Sequence, residues 1–383
     1  MSIYLDYQSS KPVDPRVIEA MIPYYGDEYG NPSSLHLPGD EASRIIEECR
    51  ESIAGFIKAE PDEIVFTSGA TESNNLALIG FCLRNRAEGN HVIISEIEHI
   101  SINNIAKYLT KYGFEISKIP VDQYGRIDMQ KLLDRITERT ILLSVGYASN
   151  EIGTIQSVLE IGELCRKRKI AFHSDAVAAE GLLPLDVGRD QIDLLTFSSN
   201  DIYGPKGLGV LYIRKGIRVN PLIIGGGQEK GLRSGSENIA GIVGMKRAVE
   251  IMQKGMEKEV ERLGKYRDRL ISTIPKIIPR CHLNGHPTQR LANNVHFRFE
   301  GIEGESLLLS LKDKGVSVAT GSACSSMTLE PSHTLISLGL LHEEAHGSLE
   351  FTLGRFNKEE DVDRLLEVLP GVVKRLREMS PLY

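Results

Sequence analysis

The chain has 383 residues, 41% of them hydrophobic and 25% charged, with no tryptophan and a formal net charge of -7. That balance leaves no basic footprint for nucleic acid or anionic lipid, and no apolar run is long enough to span a bilayer. Met1-Ser2-Ile3-Tyr4-Leu5-Asp6 runs directly into structure-like sequence rather than through a charged start and an apolar core, so the expected location is cytoplasmic. The five cysteines (Cys49, Cys82, Cys165, Cys281 and Cys324) are odd in number, scattered and without a C-x-x-C pair, which argues against a disulfide framework and a structural zinc site. Four of them read as buried small hydrophobes.

In chain order, short β-rich runs at 63–66, 91–95, 115–120, 141–145, 171–174, 194–197 and 209–213 alternate with longer amphipathic segments such as 73–86, 100–112 and 157–168. This alternation predicts βαβ units around a largely parallel, buried sheet. A long helical stretch, roughly 239 to 274, reads as the bridge to a smaller C-terminal unit. That unit holds a strand at 294–299, a helix around 305–314, a Gly/Ser-rich loop near 320–326 and a closing helix at 358–379. The expected division is a large α/β domain over 14–258 and a small one built from 1–13 with 259–383. No internal repeat or low-complexity linker interrupts it.

After the strand ending at Thr67, the small residues Ser68-Gly69-Ala70-Thr71-Glu72-Ser73-Asn74-Asn75 open a helix. Such a start aims backbone N–H groups and the positive end of the helix dipole at an anion. A plain N-capped helix, with Thr71 or Ser73 as cap, explains the same residues equally well. Asp175 ends the apolar run Ala171-Phe172-His173-Ser174, where open α/β sheets bind ligands. It suits a partner for a ring nitrogen, or an N-cap. His99, at the next helix start, suits stacking on a flat ring or a structural role.

Taken together, these segments resemble the cysteine desulfurases of the class V aminotransferase group along nearly the whole chain. The motifs that carry the resemblance are Tyr29-Gly30-Asn31-Pro32-Ser33-Ser34, Thr67-Ser68-Gly69-Ala70-Thr71-Glu72-Ser73-Asn74-Asn75, Asn150-Glu151-Ile152-Gly153-Thr154, Tyr203-Gly204-Pro205-Lys206-Gly207, Arg233-Ser234-Gly235-Ser236-Glu237-Asn238, Gly321-Ser322-Ala323-Cys324 and Leu353-Gly354-Arg355-Phe356. The resemblance implies a fold-type I aminotransferase architecture: a large domain with a mostly parallel seven-stranded sheet, a smaller α+β C-terminal domain, and a homodimer using pyridoxal 5'-phosphate. It implies that Ala70, Thr71 and Ser198 meet the cofactor phosphate, helped by Ser236 of the neighbouring subunit. His99 would stack on the ring, Asp175 pair with its nitrogen and Asn150 approach its phenolic oxygen. Arg355 with Asn31 would grip the substrate carboxylate, a match that suits a guanidinium. Cys324 would be the thiolate that receives sulfur from L-cysteine, on a loop resembling those that deliver sulfur to an iron-sulfur scaffold protein.

Four positions depart from the family pattern. Asp201 stands where the cofactor lysine is expected, Asn200 where a histidine is, Ala178 where a glutamine is, and Lys11 where a small hydroxyl residue is. An aspartate cannot make the covalent link to an aldehyde that a lysine makes, so the cofactor is expected to be non-covalent or in its amine form, with desulfurase turnover weak or absent. Three readings follow. The first is a partner of a scaffold protein in iron-sulfur assembly, with Cys324 as ligand of a shared [2Fe-2S] cluster or as acceptor of sulfide. The second is an active desulfurase using another amine, such as Lys11 or Lys206. The third is an enzyme that works with the amine form of the cofactor.

Overall fold

The structure, a computed structural model, describes residues 2–321 and 330–380. Its strands in chain order are Ile3–Tyr4 (β1), Ile64–Thr67 (β2), His91–Ser95 (β3), Glu115–Ile119 (β4), Thr140–Ser144 (β5), Ala171–Asp175 (β6), Leu194–Ser198 (β7), Gly209–Ile213 (β8), Cys281–Leu283 (β9), Asn294–Phe299 (β10), Val316–Ser317 (β11) and Ser348–Thr352 (β12). Seven of them form one sheet in the order β2-β8-β7-β6-β5-β3-β4. Only β8 runs against its neighbours; β7, β6, β5, β3 and β4 are mutually parallel. All seven were predicted from the sequence, and the reason is physical. Helices cover both faces of a parallel sheet, so its strands are near-continuous apolar runs, and β3, β5, β7 and β8 are buried at every residue.

The 39-residue helix Ile239–Ile277, capped by Asn238 through a 3.1 Å hydrogen bond from the Gly241 amide, packs against the helix Leu37–Ile57. The segment predicted as one helix over 73–86 begins earlier, at Ala70–Asn75, and continues through a π-helical turn, Leu76–Gly80, into Phe81–Arg84. The C-terminal part holds the predicted strand β10 and closing helix Glu359–Met379. It adds elements not read from the sequence. β9 and β12 flank β10 antiparallel, and β1 pairs with β11 in parallel. These strands are short, and β12 carries a charged residue, Glu350, that is nonetheless 2% exposed. The helix Leu37–Ile57, which also went unread, shows the same limit: its polar face hides a buried stripe at Ile45, Ile46, Cys49, Ile53 and Ile57.

Candidate active site

A cavity of about 210 Å³ opens at the carboxyl ends of β3, β5, β6 and β7, the edge at which open α/β sheets bind ligands. Ala70, His99, Asn150, Asp175, Ala178 and Asp201 all line it. The fold thus brings together five of the predicted site residues, with Ala178, from five separate stretches of chain.

The start of the helix at Ala70 is not capped by Thr71 or Ser73, contrary to the capping alternative. The cap position is Gly69, with φ 151, and no side chain caps it. Glu72 Oε2 instead accepts from the Ser68 amide at 2.7 Å, while Ser73 Oγ sits 2.7 Å from Thr67 Oγ1. Gly69 adopts a backbone conformation that other residues rarely reach. Thr71 is exposed on the first turn.

Asp175 ends β6, where its Oδ2 accepts from Asn74 Nδ2 at 2.8 Å and its Oδ1 from the Val177 amide at 3.0 Å. His99 lines the cavity and also caps the helix Ile100–Leu109, with Nδ1 accepting from the Ser101 amide. The structural role is therefore present, and the same ring borders the cavity. Ser198, predicted to meet a phosphate, donates its hydroxyl to Asp201 Oδ2 at 2.8 Å and to Asn200 Oδ1 at 3.2 Å. Asn31 and Ser236 sit on exposed loops away from the lining, and Asn31 Oδ1 accepts from the Ser33 amide. Arg355 does not line the cavity either. Its Nη1 donates to Asp14 Oδ2 at 3.0 Å and its Nε to Glu259 Oε2 at 2.9 Å, while its guanidinium stacks 4.2 Å from the Tyr203 ring centre. Cys324, with its loop, lies outside the described residues.

Asp201 is 7% exposed and receives hydrogen bonds from Ser198 and from Asn200 Nδ2. Burial raises its pKa above the usual carboxylate range, and the opposing influence of Lys11 does not cancel it. Behind it lies Glu180, fully buried, accepting from the Ser198 amide at 3.0 Å. Burial and the neighbouring Asp201 push Glu180 well upward. Burial also raises Glu98, to about 8. Sequence reading gave no role to Glu98 or Glu180. Their signal was weak, a charged residue beside His99 and another five residues after Asp175, because a buried acid looks like an exposed one in sequence.

An open, mostly parallel sheet with a cavity at its strand ends is the architecture of α/β proteins that bind ligands at that edge. Residues 3–365 match the family model for class-V aminotransferases. The chain is 57% identical over 380 residues to a protein from Archaeoglobus fulgidus named cysteine desulfurase IscS 1, covering 99% of both chains. It is 50% identical to cysteine desulfurase IscS of Methanosarcina thermophila, covering all of this chain and 94% of that one. A solved structure described as a NifS-like protein superposes with a TM-score of 0.92 at 35% identity, covering 98% of this chain and all of that one. The chain belongs to the class-V aminotransferase family and, within it, to the cysteine desulfurase group.

Pyridoxal 5'-phosphate is the cofactor of that family. The residues here fit its ring and phosphate: a carboxylate at the end of β6, an imidazole on the wall, and a helix start without a side-chain cap. Among the described residues, none lining the cavity is a lysine. Lys11, the nearest buried amine, is directed at Asp201, and Lys206 is exposed on its turn.

Proposed function

We propose that this protein is a cysteine desulfurase homologue in iron-sulfur cluster biogenesis that holds pyridoxal phosphate, or its amine form, without a covalent bond and turns over cysteine weakly or not at all. The observation that carries this reading is the buried Asp201 carboxylate, fixed by Ser198 and Asn200 in the cavity wall where the family resemblance expects the lysine amine. Bound pyridoxal phosphate supplies an electron-withdrawing ring for breaking bonds at the substrate α-carbon. In this chain Asp175 would pair with the ring nitrogen, His99 would cover the ring and the amides at Ala70 and Thr71 would meet the phosphate. Asp201 offers a proton acceptor at Oδ1 or Oδ2 but no nucleophilic amine.

On this reading residues 14–258 form the cofactor-binding domain, and 1–13 with 259–383 form the small domain. Cys324 serves a scaffold protein, as ligand of a shared [2Fe-2S] cluster or as acceptor of a sulfur atom from a persulfide donor, whose thiolate is the leaving group. Ser236 would reach the phosphate of a second copy.

The test is borohydride reduction of the cofactor-loaded protein followed by peptide mass spectrometry, with alanine release from L-cysteine assayed in parallel. The expected result is no pyridoxyl adduct on any lysine and little alanine. A stoichiometric adduct on Lys11 or Lys206 would return the protein to the active desulfurases.

A further inference from the structure

Glu98 is a fully buried acid in the wall of the cavity, and the residue roles described so far leave it idle. One of its oxygens is committed: Oε1 accepts from the Gly146 amide at 2.8 Å, which ties the turn after β3 to the turn after β5. The other, Oε2, has no hydrogen-bond partner among the described residues. A structural role is satisfied by Oε1 alone. A buried polar atom without a partner is uncommon, because it forfeits its hydration for nothing. Glu98 lines the cavity together with Ile97, Val145 and Gly146.

We propose that Glu98 is a ligand-binding residue, its neutral carboxyl donating the Oε2 proton to an acceptor atom of the cofactor held next to Asp175. This rests on the reading that the cavity takes pyridoxal phosphate. The neutral form follows from the surroundings. Burial in an apolar wall raises the carboxyl to about 8, and the nearby Asp175 charge adds to the shift. The titratable groups facing Glu98 are Asp175 from β6, His99 beside it in sequence, and His333, whose Nε2 lies 2.9 Å from the Glu98 carbonyl oxygen. Below the transition Glu98 donates. Above it, a second buried negative charge faces the ligand and the donor is gone.

The experiment is titration of the cofactor-free full chain with pyridoxal phosphate, followed calorimetrically and by absorbance from pH 6 to 9.5, on the unaltered protein, Glu98→Gln and Glu98→Leu. Glutamine keeps a donor and the Gly146 bond but cannot ionise. The expected result is that Glu98→Gln binds like the parent at pH 6.5 and more tightly at pH 9.5. The parent should lose on the order of tenfold more affinity across that range than the variant, the size of a lost hydrogen bond to a charged group. Glu98→Leu should bind on the order of tenfold more weakly at pH 6.5. Parallel pH profiles for the parent and Glu98→Gln overturn the assignment even if Glu98→Leu fails to fold. So does a folded Glu98→Leu variant with parental affinity. Absence of binding by the parent at every pH overturns the cofactor reading as well, which separates the two failures.

Discussion

The Lys11 Nζ lies 2.5 Å from the backbone oxygen of Asp201, to which it donates, and 3.8 Å from the carboxylate Oδ1, with both side chains 7% exposed. The two positions that depart from the family pattern 190 residues apart in sequence therefore form one buried ion pair. Two acids, Asp201 and Glu180, crowd a space that holds one amine. Burial drives both carboxyls upward, and the Lys11 charge opposes that drive at each. Lys11 is thus the residue that makes a buried aspartate tolerable here.

Lys11→Met should destabilise the fold by about 3–5 kcal/mol at pH 7.5, the cost of leaving a buried charge without its partner. Asp201→Lys alone should fare little better, since it places two ammonium groups side by side. The pair Lys11→Ser with Asp201→Lys should recover stability and accept a borohydride-trapped pyridoxyl group at residue 201, with partial alanine release because Ala178 and Asn200 are unchanged. Urea denaturation and adduct mapping measure both. Equal stability of Asp201→Lys with and without Lys11→Ser would show that the two positions are uncoupled.

The Glu98 carboxyl is raised in the folded state from its ordinary value of 4.5 to about 8, so its contribution to stability is fully present below the ordinary value. It is lost as pH rises through about 8, at up to about 1.4 kcal/mol per pH unit. The cofactor-free protein should accordingly lose stability relative to Glu98→Gln between pH 5 and 8.5, a divergence of a few kcal/mol read from denaturant midpoints. Curves that stay parallel would mean that Glu98 ionises in the folded chain much as it does in the unfolded one.

Two acids, Asp14 and Glu259, already engage Nη1 and Nε of Arg355 and compete with any bound carboxylate for its charge. Glu259→Gln should therefore raise the affinity for L-cysteine several-fold while costing about 1–2 kcal/mol of stability. Calorimetric titration with cysteine and a urea melt give the two numbers. The Asp14 bond should persist through ordinary acid conditions. Arg16 first, with Arg355 helping, lowers the Asp14 carboxyl to about 2, so its contribution is present above the unfolded value of about 3.8 and disappears only as pH falls through about 2. An unchanged cysteine affinity in Glu259→Gln would assign the carboxylate to another group.

Cys324→Ala should leave cofactor binding and dimerisation intact while weakening cluster retention on a complex with a scaffold protein. Anaerobic reconstitution, with iron content and oxygen lability compared between the two complexes, measures this. Equal values would remove Cys324 from the ligand set.

The sequence by itself determined the large sheet and the outline of the site. Strands such as His91–Ser95 and Gly209–Ile213 are buried on both faces, so an unbroken apolar run between helical segments locates them without tertiary knowledge. The strand-end position of Asp175 and the small-residue helix start at Ala70 follow from the same one-dimensional pattern. What only the tertiary structure decided depends on contacts between residues far apart in the chain. Ser348–Thr352 becomes a strand because Asn294–Phe299 lies beside it, and its buried Glu350 hides that from any hydropathy pattern. Arg355 turns to Asp14 and Glu259, 341 and 96 residues away. Lys11 meets Asp201, and Glu98 loses its solvent, because the packed fold removes water from charges that in the sequence look no different from those on the surface.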